Sequence, residues 1–122
     1  IGELKEAVFE SYMDFLGGVE HIHLQKTVDG CQHSNWMFGI RIDNSFYDRA
    51  ELFFLQNGIE IRPMFYPMNR HNHLRGYCGN YTVADRLSKE CIVLPTFPQL
   101  KLEEQIYIVE KVKEYVQQCN PI

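Results

Sequence analysis

The chain has 122 residues, of which 45% are hydrophobic, 23% charged and 13% aromatic, and its formal net charge is -4. That is one domain's worth of ordinary globular sequence; no apolar run approaches the ~20 residues a membrane span needs. The acidic balance argues against nucleic acid as the main partner, because phosphate binding needs clustered Lys and Arg, and Arg70 and Arg75 offer only a local basic patch.

Helical spacing of Leu4, Val8, Tyr12 and Phe15 predicts a first helix that stops at Gly17-Gly18. Ile1 has no initiator Met before it, and the helical pattern starts almost at once without a cap. The expectation is a fragment cut inside or just before a helix, with whatever preceded it missing. Val19 to Leu24 alternates weakly, with Ile22 and Leu24 on one face and His21 and His23 on the other. Thr27 to Ser34 is polar and turn-rich. The clearest strand follows, with Trp36, Phe38, Ile40 and Ile42 facing one way and Met37, Gly39, Arg41 and Asp43 the other.

Asn44 or Ser45 is the expected cap of the next helix, with Asp48 complementing its dipole. That helix should turn Phe46, Ala50, Phe53 and Phe54 inward and end at Asn57-Gly58, where glycine supplies a left-handed residue. Ile59 to Met64 reads as extended, and Pro63, which cannot donate to a ladder, places this strand at an edge. Phe65 to Tyr81 is a long loop of the kind that often carries function. Thr82 is the expected cap of a short helix ending near Glu90. Cys91 to Leu94 is an apolar strand closed by Pro95. A last amphipathic helix runs through Leu102, Ile106, Val109, Val112 and Val116. Interleaved short strands and helices predict an α+β layer, a small mostly antiparallel sheet with helices packed chiefly on one face.

Few constellations carry chemistry. Cys31, Cys78, Cys91 and Cys119 are far apart, with no activating base beside them, and read as reduced thiols of a cytoplasmic protein. His71 and His73, with Cys78 nearby, raise the thought of zinc, but i, i+2 spacing without a second ligand pair does not match common zinc patterns. No metal is expected. His21 and His23 read as interface or solvent-facing residues, and Asp85 and Glu90 as solvated charges. Arg62 stands out, being on a strand otherwise made of Ile59 and Ile61. It either pairs with a carboxylate of the same chain or presents its guanidinium to an anionic ligand. Tyr66, between Phe65 and Pro67, is either core or a ligand stack.

Four segments then become specific. Ser34-Asn35-Trp36-Met37-Phe38-Gly39-Ile40 resembles the first strand of the small domain in the DegT/DnrJ/StrS type of sugar aminotransferase. Asn57-Gly58-Ile59-Glu60-Ile61-Arg62-Pro63 with Phe65-Tyr66-Pro67-Met68 resembles that family's GI-x-x-RP-x-FYP-L segment. Val83-Ala84-Asp85-Arg86-Leu87-Ser88 with Ile92-Val93-Leu94-Pro95-Thr96, then Leu100-Lys101-Leu102-Glu103-Glu104-Gln105, follow in the family's order. Nearly the whole chain is covered.

The resemblance implies a fold-type-I architecture like that of aspartate aminotransferase, with residues 1–122 as a single C-terminal small domain whose preceding large domain is absent. It also implies a pyridoxal 5'-phosphate (PLP) enzyme that moves an amino group from glutamate to a keto carbon of a nucleotide-linked sugar, usually as a homodimer. The Schiff-base lysine belongs to the family's large domain, so the 122-residue chain alone should be catalytically silent, with no catalytic residue of its own. Substrate contact is expected from Arg62, Tyr66, Asn69, His71 and His73, with Trp36 in the core. Asn69 stands where the family usually has His, which leaves hydrogen bonding to a sugar or phosphate oxygen. The alternative is a non-catalytic binding or regulatory module, since some members of the wider family act outside transamination.

Overall fold

The computed structural model describes residues 2–25, 37–63 and 82–121. Its elements follow the predicted order: α1 (Gly2–Leu16), β1 (Ile22–Leu24), β2 (Phe38–Ile42), α2 (Tyr47–Gln56), β3 (Arg62–Pro63), α3 (Thr82–Glu90), β4 (Cys91–Leu94) and α4 (Leu102–Cys119). The strands form one antiparallel sheet in the order β1-β2-β4-β3. Pro63 does lie on an edge strand, where its missing N–H costs no ladder bond.

Register sorts the side chains. Ile22 pairs with Ile42, Phe38 with Leu94, and Ile40 with Ile92, so these residues share one face. That face forms the core with Val8, Phe9, Tyr12 and Leu16 of α1, Ala50 and Phe54 of α2, and the inner side of α4. Phe38 anchors α1: Tyr12 stacks on it at 4.9 Å and Phe9 meets it edge-on at 5.2 Å. The Tyr12 hydroxyl donates to the Pro95 carbonyl at 2.7 Å, which satisfies the one polar atom of a fully buried ring. The opposite face carries His23, Arg41 and Cys91 in one cross-strand row and Gly39, Val93 and Arg62 in the next.

Several local expectations are corrected. Neither Asn44 nor Ser45 caps α2; Phe46 holds the cap position without a side-chain bond. Ser45 is committed elsewhere, its hydroxyl 2.7 Å from the buried Tyr115 hydroxyl, and the Asn44 amide donates to Asn120 Oδ1 at 2.7 Å. Phe46, sitting ahead of the helix, falls off its inward stripe and is 50% exposed. Leu4, Leu102 and Ile106 are also exposed. The α1 stripe begins at Val8, where α1 meets α4: the Gln105 amide donates to the Val8 carbonyl at 2.7 Å. That bond turns polar Gln105 inward and leaves Ile106 out, so the buried stripe of α4 runs Gln105, Ile108, Val109, Val112, Tyr115, Val116 and Cys119. Helix α3 already includes Thr82, the residue expected as its cap.

Gly58 has φ +76°, and a Cβ added there would meet nothing within 4 Å. Its substitution is therefore a test of backbone strain alone. Gly58→Ala should lower the free energy of unfolding by about 1–2 kcal/mol, read from the urea midpoint at unchanged slope.

Candidate functional site

The turn that ends α2 presents β3. The Asn57 amide donates to the Phe53 carbonyl at 2.8 Å and the Ile59 N–H to the Phe54 carbonyl at 2.8 Å, while Gly58 takes the left-handed conformation. Ile59 and Ile61 are buried, so alternation turns Glu60 and Arg62 outward. Tyr107 of α4 donates to the Asn57 carbonyl at 2.9 Å and fixes this turn to the helix.

Between this turn, the end of β4 and the first turns of α4 lies a cleft of about 890 Å³. Ile59, Leu94, Leu100 and Ile108 line it, and Arg62, Glu60, Glu103 and Tyr107 bring polar groups to it. Its volume falls in the range of small-molecule sites. Arg62 is exposed, and no described residue makes a hydrogen bond or ion pair with its side chain. Of the two sequence readings, local pairing therefore finds no partner among the described residues, and the guanidinium is left facing the cleft. Tyr66, Asn69, His71 and His73, like Trp36, Cys31 and Cys78, lie outside the described residues.

A second polar cluster was not singled out by the sequence. Asp43 accepts from both histidines of the first weak strand: His21 Nδ1 lies 3.2 Å from Oδ2 and His23 Nε2 2.9 Å from Oδ1. Arg41 reaches the same Oδ1 at 3.0 Å and bridges to Glu90 Oε1 at 3.0 Å. Glu90 also accepts from Arg86 at 2.9 Å and from the Asn44 N–H at 3.0 Å. The expectation of a solvated Glu90 is thus overturned: its side chain is 14% exposed and its carboxylate ties α3 to β2. Alternation had put His21 with His23, and Arg41 with Asp43; only the β1–β2 register brings the pairs together.

Burial pushes both carboxyls up, but the hydrogen bonds and charges win. His21, His23 and Arg41 hold Asp43 below the usual carboxylate range; Arg86, Arg41 and the Asn44 amide do so for Glu90. Burial raises the Cys91 thiol to about 11, so it is no nucleophile at neutral pH. Among the described residues no group of three or more His, Cys, Asp or Glu could hold a metal ion. The carboxylate between His21 and His23 is already neutralised by Arg41.

The DegT/DnrJ/EryC1/StrS aminotransferase family model matches residues 2–113. The chain belongs to this family. It is 35% identical over 95 residues to a pleiotropic regulatory protein of Geobacillus stearothermophilus, covering 74% of this chain and 25% of that one. Over 113 residues it is 28% identical to GDP-perosamine synthase of Escherichia coli O157:H7, covering 91% of this chain and 30% of the relative. Among solved structures, the aminotransferase TlmJ from Streptoalloteichus hindustanus superposes with a TM-score of 0.84 at 18% identity, over 96% of this chain and 32% of that one. Spr1654 from Streptococcus pneumoniae, in its PLP form, superposes at 0.79 with 18% identity, over 96% and 31%. The DegT-family chain therefore has the fold found in these enzymes, of fold type I, and spans 25% to 30% of the two curated relatives.

PLP requires a lysine amine and an anion-binding cradle. Among the described residues Lys5, Lys89, Lys101, Lys111 and Lys113 all lie on helices or their ends, and none lines the cleft. The described residues do not make a cofactor site by themselves. Also among them, no helix is long and apolar enough to cross a membrane.

The lowered Asp43 and Glu90 make a pH-dependent contribution to stability. It is complete above the unfolded carboxylate range, from about pH 5 upward, and is lost as pH falls through the lower folded-state values. Glu90→Gln should cost about 1–3 kcal/mol at pH 7, as expected for hydrogen bonds to a partly buried charged group. It should also flatten the acid limb of a plot of urea midpoint against pH. An unchanged limb would remove Glu90 from this account.

Proposed function

We propose that this chain is the C-terminal small domain of a longer, cytoplasmic PLP-dependent aminotransferase that transfers an amino group from glutamate to a keto sugar nucleotide. The observation that carries the reading is the family match over residues 2–113. The sugar-nucleotide substrate draws on the 28% likeness to a GDP-perosamine synthase. The cofactor draws on the family and on the PLP form of a protein with the same fold. In this reading a preceding large domain supplies the Schiff-base lysine and most of the PLP contacts, the full-length protein is a homodimer, and the small domain shapes the sugar pocket. Arg62 supplies a guanidinium for a phosphate or sugar oxygen, a task suited to its planar fork of donors. Tyr66, Asn69, His71 and His73 follow Arg62 in sequence and are assigned to substrate contact with it.

A second reading is favoured by one observation, the 35% identity to a pleiotropic regulatory protein. In that reading the fold is retained for binding or regulation without transamination.

Purification of the full-length gene product separates the two. The enzyme reading expects the visible absorbance of protein-bound PLP, shifting on addition of glutamate. Full-length protein that binds no PLP overturns it in favour of the regulatory module. In the active enzyme, Arg62→Ala should raise KM for the sugar nucleotide about 10- to 100-fold, the loss of one charged hydrogen bond. The unfolding free energy should stay within about 0.5 kcal/mol, since no described residue depends on Arg62. An unchanged KM removes Arg62 from the substrate site.

A further inference from the structure

Helix α3 is inverted relative to an ordinary surface helix. Its apolar residues Val83, Ala84 and Leu87 fall within one arc of roughly 100°, yet Val83 is 71% exposed and Leu87 42%. None of its described side chains is fully buried. The contacts described above that hold it are polar and sit at its C-terminal end, where Glu90 meets Arg41 and the Asn44 N–H. Nine residues are too few for a free-standing helix, which needs about 12–15 even in favourable sequences. Such a helix is normally stabilised by burying its apolar stripe, and here the polar side is fastened while the apolar side stays in water. Neighbouring elements also carry exposed apolar side chains. Phe46, 50% exposed, is two residues from the Asn44 N–H that Glu90 holds, and α2, which lies against α3, turns Leu55 away from the core at 67% exposure.

The size of this patch bears on what covers it. A few half-exposed side chains fall within the roughly 300–600 Å² of the largest apolar patch on a typical monomer. That is short of the roughly 800 Å² per partner in a stable complex of separate molecules. A separate molecule, including a second copy of this chain, must also offset a loss of translational and rotational freedom of about 4–15 kcal/mol. A partner on the same polypeptide avoids most of that cost. The two curated relatives have such a partner in length, since this chain matches only 25% to 30% of them.

We propose that the outward stripe of α3, Val83-Ala84-Leu87, is the seat on which the remainder of the full-length polypeptide docks. This rests on the reading of the chain as one domain of a longer enzyme. It also gives the docking a consequence. Glu90 runs directly into Cys91 of β4, and Val93 of the same strand pairs with Arg62. A body seated on α3 therefore sets the position of the strand that carries the Arg62 edge of the cleft.

Hydroxyl-radical footprinting of the full-length gene product tests the seat, with each residue's rate referred to the same residue in the urea-unfolded protein. Docking predicts that Val83 and Leu87 react at below about one-fifth of the unfolded rate, as side chains at a dry interface centre do. A ratio for Val83 above about one-half, as its exposure in this chain dictates, overturns the proposal. So does protection that vanishes when light scattering shows dissociation to monomers on dilution, because a second copy is then the cover. A Val83→Ser variant should raise the Leu87 ratio several-fold with the protein still folded by circular dichroism. Protection without bound PLP would sink the aminotransferase reading and leave the docking seat standing; bound PLP with no protection does the reverse.

Discussion

The antiparallel register of β2 against β4 is the constraint on which the rest of this structure depends. Phe38 opposite Leu94 and Ile40 opposite Ile92 put every large apolar side chain of the two central strands on one face. A slip of one residue would send Gly39, Arg41, Cys91 and Val93 into the core and the isoleucines out of it. Three helices cover the apolar face, and their stripes are defined by where they meet it. Phe38 alone receives Tyr12 and Phe9, and the Tyr12 hydroxyl reaches past it to Pro95 at the end of β4. The polar chemistry is therefore confined to the second face and the sheet edges, because the register leaves it nowhere else to go.

On that second face the charges are distributed unequally. At the β1 side, Arg41 is spent: it lies between Asp43 and Glu90, whose oxygens also accept from both histidines, Arg86 and a backbone N–H. Such a network, with both carboxylates less than a third exposed, stitches β1, β2 and α3 together and is rigid. At the β3 side, Arg62 has no described partner. One arginine serves architecture and the other is left for a ligand, and it is the partner census that separates them, since both are strand residues that follow an isoleucine.

Much of the fold was legible because its signals were local. Strict alternation from Phe38 to Ile42, the stop at Asn57-Gly58 and the Pro63 edge all follow from covalent geometry and side-chain period. The failures share a cause in long-range partnership. Ser45 has the chemistry of a cap, but Tyr115 lies 70 positions away and claims its hydroxyl. Ile106 reads as part of the inward stripe until the Val8 carbonyl, 97 positions before Gln105, accepts from the Gln105 amide, turns that residue inward and displaces Ile106. Glu90 reads as solvated until β2 brings Arg41 to it. For the candidate site, the sequence could place Arg62 and Glu60 on the outward side of their strand, but the cleft depends on α4 and the end of β4 closing around them, which no local pattern encodes.

The same physics limits what the cleft does by itself. An exposed guanidinium among carboxylates such as Glu60 and Glu103 is surrounded by water, where a charge pair at 4 Å gains only about 1 kcal/mol. Its selectivity for an anion becomes large only when a second body excludes that water and lowers the local dielectric. The apolar walls of the cleft, Ile59, Leu100 and Ile108, belong to the core of the domain and are fixed by it. What the described residues supply is thus one rigid wall bearing an uncommitted cation. On the proposed reading, that wall becomes a binding site when the remaining polypeptide closes against it, and the exposed stripe of α3, joined covalently to β4, sets the angle of closure.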